Sequence, residues 1–242
     1  MMWTTLLTPW YRRTAPRTGG PNTQPGSTAP TQILDHESAA IRALLSRAID
    51  SAGADDPIAV LQRAHGLIQD GVRPVYGMEE ATPTSRTLER GSGSCSQRLA
   101  VLESVARAAG TQTRVRAFLV DRSFWYPRFP RLRTALPPHV VLAWPEFLLG
   151  EWRSASELFG PIGCQAGDAF TNTGSETLFE AAGRCAIDWD GDSAGSASDL
   201  SGYVRAELGY FTDRDELFAR VGQTLCAPTR ALADPLLRRI AA

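Results

Sequence analysis

One stretch constrains this chain more than any other: residues 91–120, GSGSCSQRLAVLESVARAAGTQTRVRAFLV. Gly91 and Gly93 break whatever precedes them. Leu99, Leu102, Val105, Ala106 and Ala109 then recur at helical spacing, and Gly110 stops the helix. Thr113–Val120 switches at once to the alternation and residue types of a strand. A helix with an apolar stripe and a half-buried strand must cover each other's apolar faces, so the core is expected to start here.

The flanking sequence supplies more helices before this unit and more strands after it. Asp35 is expected to cap a helix through about Ser51, with Ile41, Leu44, Leu45 and Ala48 on one face. Asp56-Pro57 starts another, because proline at the first helical position gives up an N–H that would be unpaired anyway. Residues 72–83 read as an irregular link, and Ser85–Arg90 as a short helical turn. A Pro- and Arg-rich aromatic loop, SFWYPRFPRLRTALPP, precedes a second strand, His139–Trp144, and Phe147–Arg153 can form a third around Gly150. Residues 1–32, rich in Pro, Thr, Gly and Arg, read as a flexible N-terminal arm. Residues 33–160 form the expected core. Residues 161–242 read as a mostly helical extension packed on it, with a patch near Glu176–Ala182, a helix from Thr212 to about Val221 and a last one from Arg230 to Ile240.

Composition removes several classes of function. All 25 basic residues are arginine, so Schiff-base, pyridoxal-phosphate and phosphate-loop lysine chemistry is excluded. A net charge of -1 argues against a nucleic-acid binder. No apolar run approaches the roughly 20 residues of a membrane span, and the short apolar start is followed, not preceded, by Arg12 and Arg13. The expected location is therefore the cytoplasm, with no membrane partner. The cysteines Cys95, Cys164, Cys185 and Cys226 show no C-x-x-C pair, so no zinc site or disulfide framework is expected. No metal or cofactor is expected. Asp188, Asp190, Asp192 and Asp199 have some calcium-loop spacing, but the glycine is misplaced and no glutamate closes the loop, so a solvated turn is the reading.

Cys95 carries the chemistry. It stands at the first turn of the long helix, where unpaired N–H groups and the helix dipole favour a thiolate and can hold an oxyanion. A nucleophilic cysteine needs a base, and the chain has three histidines: His36 and His65 on the early helices, and His139 opening the second strand. Cys164, Cys185 and Cys226 lack such a context and read as packing residues.

Gly93-Ser94-Cys95-Ser96-Gln97, the ARAAGTQTRVRAF run of residues 106–118, His139, Trp144-Pro145-Glu146 and Gly150-Glu151-Trp152 together resemble the transglutaminase-like superfamily, a branch of the papain-like cysteine enzymes. The likeness covers about residues 85–157. It implies an α+β fold with helices packed on a small antiparallel sheet, and Cys95 as nucleophile. Two registers are open for the base. The family's His-Ala-Trp-x-Glu pattern laid on LAWPEF puts Leu142 at the histidine. The alternative uses His139 with a slightly longer strand, and it accounts for the Pro-Pro-His sequence. His139 is the expected base. The family's third member is an Asp, which this stretch lacks, leaving Glu157, or alternatively Ser156, to orient the imidazole. The aromatic loop is expected to border the cleft, with Trp125, Tyr126, Arg128 and also Trp144 binding substrate.

The activity that this resemblance implies is cysteine-dependent acyl transfer or amide hydrolysis through a Cys95 thioester. The substrate would be peptidyl or acyl, free or carrier-bound, the acceptor an amine or water, and the setting amide-bond formation or peptide processing in biosynthesis. The alternative is a non-catalytic transglutaminase-like binding module, which follows if Leu142 holds the histidine's place.

Overall fold

The computed structural model describes residues 18–52, 56–161, 168–185, 187–192 and 198–238. The early helices form where their apolar spacing places them. Helix α1 (Ala39–Ala52) buries Ile41, Leu44 and Ala48. Helix α2 (Pro57–Gly71) starts at Pro57, with the Asp56 carboxylate accepting from the Ile58 N–H. Asp35 does not cap α1. Its carboxylate instead accepts from the Thr84 and Ser85 hydroxyls and the Ser85 N–H, fixing the start of α3 (Thr84–Arg90). A two-residue parallel pair, β1 (Arg73–Pro74) with β2 (Ser92–Gly93), brings the link alongside the turn before Cys95.

Helix α4 (Cys95–Ala108) is the centre of the molecule. Ser94 caps it in a reciprocal box with Gln97. Its leucines and valines are buried in one cluster with α1, α2 and one face of the sheet, each such burial contributing about 1.5–3 kcal/mol. The charged side of α4 is buried as well: Arg98 and Glu103 are 0 % exposed and Arg107 is 2 % exposed. Each is met by a segment distant in sequence.

The sheet runs β5–β4–β3–β8 and is antiparallel throughout. Its strands are β3 (Thr113–Asp121), β4 (His139–Leu149), β5 (Glu151–Ser154) and β8 (Val204–Phe211). Alternation along β4 sends Leu142 and Trp144 to the α4 side, and Val141 and Ala143 to a second cluster with Leu208, Phe211 and Leu217. Two-residue strands β6 (Ile187–Asp188) and β7 (Ser198–Asp199) pair with each other. Helices α5 (Leu178–Ala182), α6 (Arg214–Arg220) and α7 (Ala227–Leu237) complete the described chain. No helix among the described residues is long and apolar enough to cross a membrane.

Two expected boundaries change. Residues 161–242 are not a separate appendage, because β8 pairs along β3 as an integral strand of the sheet. Residues 18–32 are not a loose arm either. Ser27 bridges Thr113, Gly20 bridges Tyr210, and the carbonyls of Asn22 and Gln24 accept from the buried Arg114 guanidinium. Residues 1–17 of the expected arm lie outside the described residues. Glycine makes this strap possible. The register of β8 slips at Gly209 (φ 83°), and the bypassed Leu208 carbonyl accepts from the Gly19 N–H. A Cβ on Gly209 would sit 2.8 Å from the Gly20 carbonyl oxygen. Gly209→Ala is therefore expected to lower stability by about 1–3 kcal/mol. Urea unfolding measures this, and an unchanged midpoint would show that the strap does not hold the bulge.

Candidate functional site

Cys95 lines a cavity of about 160 Å³ formed by the Val75–Glu80 link, the start of α4, the loop after β3, the first residues of β4, the segment leading into α5, and Thr224. Its walls are mainly apolar, with Val75, Trp125, Phe129, Leu136, Leu142 and Leu178 among them. Polar groups enter at few points, chiefly Glu80, Ser96, Arg122, Arg128 and Asn172.

The structure does not bring His139 to this cavity. His139 is exposed at the first residue of β4, paired across the sheet with Asp121, and shares the strand parity of Val141 and Ala143. The cavity is lined from Val140, Val141 and Leu142 of this strand, and His139 is not among its lining residues. Leu142, three positions on, lies on the cavity side. His139, the expected base, thus stands outside the lining of the cavity that holds Cys95. The other histidines are engaged elsewhere. His65 is buried, stacks on Phe179 with ring centroids 4.2 Å apart, and donates from Nε2 to the Phe179 carbonyl at 2.7 Å. Burial holds its pKa below the ordinary histidine value. His36 lies with its Nε2 2.9 Å from the Thr28 carbonyl. No histidine lines the cavity.

The thiol environment agrees with this geometry. Burial, reinforced by the Glu180 carboxylate, pushes the Cys95 thiol up to about 12, against the opposing pull of Arg98, the Phe179 backbone and Arg214. The expected lowering at a helix N-terminus is outweighed by the desolvation of the half-buried thiol. Cys226 shows the reverse. It was expected to be a packing residue, but it is half-buried and Thr229 holds its thiol below the ordinary value. Cys185 is buried, as expected of a packing residue. Cys164 lies outside the described residues.

The remaining expected site residues divide. Trp125 and Arg128 line the cavity. Tyr126 does not, and instead lies under the Arg133 guanidinium. Trp144 is 1 % exposed and packs edge-on against Trp189, so it is a core residue and not a substrate contact. Glu157 caps its own turn by accepting from the Ser154 N–H, and Ser156 donates to the Ile187 carbonyl. Neither orients an imidazole. The Asp188 carboxylate accepts from the Asp190 and Gly191 N–H groups, while Asp190 is held by Arg116.

Sequence reasoning missed Glu80, Arg122 and Asn172. Asn172 is the only non-glycine residue at positive φ among the described residues (φ 53°), a conformation that asparagine tolerates better than most. Its amide donates to the Phe124 carbonyl and its oxygen accepts from Arg128 Nε, each at 2.5 Å, clasping the aromatic loop. The Asn-Thr-Gly turn signal at 172–174 marks the bend, but nothing local in the sequence indicates what it holds. Glu80 accepts from the Ser96 hydroxyl at 2.6 Å, and burial raises its pKa. Comparison with protein-family models, with curated proteins and with solved structures found no match to the chain.

Proposed function

We propose that this chain is a non-catalytic binding module on a transglutaminase-like core, holding a small, largely apolar ligand in the Cys95 cavity. One observation carries the reading: Leu142, not a histidine, lines the cavity with Cys95. That is the register in which LAWPEF replaces the family's histidine by leucine. The thiol held near 12 supports the same reading, since ~10⁻⁵ of it is ionised at pH 7. An acyl-transfer or amidase role for the chain rests on the same Cys95 and is tested by the same measurement.

The test is alkylation by iodoacetamide, read site by site by mass spectrometry between pH 7 and 10. Thiolate is the reacting form, so a raised pKa suppresses the rate until the pH approaches it. Cys226 is expected to react first. Cys95 is expected to lag the unfolded chain by about a hundredfold at pH 7, the smaller thiolate fraction being partly offset by the greater nucleophilicity of a high-pKa thiolate, and to gain about tenfold per pH unit without levelling off. A Cys95 rate that plateaus below pH 8, or one that His139→Ala reduces, restores the enzyme.

A further inference from the structure

We infer that the cavity's ligand is a small apolar monocarboxylate, its carboxylate held by Arg128 and Arg122 and its apolar body against Leu142 and Leu178. This rests on the cavity reading above and adds the charge of the occupant. Arg128 Nε donates to Asn172 at 2.5 Å, and Nη1 to the Gly174 carbonyl at 3.1 Å and the Tyr76 hydroxyl at 3.3 Å. Its Nη2 is enclosed and has no partner among the described residues. Neither Arg128 nor Arg122 forms an ion pair among those residues.

Arg98 also leaves buried nitrogens, Nε and Nη2, without a partner, but unlike Arg128 it has a carboxylate beside it. Arg98, Arg114 and Arg214 each hold a glutamate, and Arg107 places all three of its nitrogens on carbonyl or hydroxyl oxygens. A guanidinium withdrawn from water with a donor unused is costly unless an acceptor arrives. A planar carboxylate is the acceptor that best fits its fork.

The cavity limits the rest of the molecule. About 160 Å³ of mainly apolar space accommodates a single ring or a short alkyl chain, since a 150 Å³ apolar cavity takes benzene. Glu80, the only acidic side chain lining it among the described residues, is hydrogen-bonded to Ser96, which in turn accepts from Arg214 at 2.8 Å. It leaves the guanidinium of Arg128 uncompensated and disfavours an anion at its own wall. An amine lacks a partner at the arginines and would be repelled there.

Calorimetric titration of the full chain at pH 7.5 tests this with hexanoate and 3-phenylpropionate against their neutral amides. The acids are expected to bind at least tenfold tighter than the amides. Arg128→Gln should remove about tenfold from the acids and leave the amides unchanged, with Arg128→Lys between. Equal binding of acid and amide to the unmodified chain overturns the anion assignment and leaves the cavity reading standing. Binding of neither at millimolar concentration overturns both. The comparison of acid with amide needs no variant, so it decides the question even where Arg128→Gln fails to fold.

Discussion

Replacing Leu142 by histidine is expected to raise the alkylation rate of Cys95 a few hundredfold at pH 7, while His139→Ala leaves it unchanged. The magnitude follows from two opposing effects. Pairing with an imidazole brings a cysteine pKa to about 7 or lower, so the ionised fraction rises from ~10⁻⁵ to about half. The intrinsic nucleophilicity of a thiolate falls with its pKa at a Brønsted slope of about 0.4–0.5, which returns a factor of ~10² over five units. Leu142 is 7 % exposed on the cavity wall, so the new ring has the space of the side chain it replaces plus the adjoining cavity. Leu142→Gln, polar but not basic, is the control and should leave the rate low. If L142H folds and its Cys95 remains as slow as in the unmodified chain, Leu142 does not occupy the base's place.

The second large effect concerns the pair beneath the site. Glu103 on α4 and Arg214 at the start of α6 are both 0 % exposed and meet at 2.5 Å. Burial raises the Glu103 pKa, and the Arg214 guanidinium opposes that rise. Glu103→Ala leaves a buried cation without its carboxylate and is expected to cost about 3–5 kcal/mol of unfolding free energy. Replacing both partners by Glu103→Leu and Arg214→Met should recover most of the loss, because the desolvation of the two charges disappears together with their attraction. Denaturant unfolding of the single and double variants measures this. A single variant within about 1 kcal/mol of the unmodified chain would show that water reaches the guanidinium. Arg214 also donates to Ser96, next to Cys95 in sequence, so the pair ties α6 to the wall of the cavity.

What could be read in advance followed from local physics. The Asp56-Pro57 helix start, the turn opening α4, the stop at Gly110 and the alternation of β3 are set within a few residues, and each forms where its sequence indicates. Cys95 at the head of α4 was legible for the same reason. The polar side of α4 was not. Arg98, Glu103 and Arg107 look like a solvated face in the sequence, yet Glu180, Arg214 and the carbonyls of Ala29 and Thr212 cover them from 78 to 111 residues away. Integration of β8 into the sheet and of residues 18–32 as a strap escaped for the same reason. Strand pairing depends on a partner's position in space, which local pattern does not encode.

The sequence by itself determined the class, α+β, and put a cysteine at a helix head with two candidate registers for its partner. The tertiary structure puts Leu142, and not His139, among the residues lining the Cys95 cavity. Moving from His139 to Leu142 shifts the strand by three residues, and an odd shift exchanges the two faces of a strand. Which face meets α4 is fixed by how β3, β4 and β8 pack between two clusters, and that packing sets Leu142 on the wall beside a thiol whose pKa burial raises, against the lowering expected at a helix N-terminus.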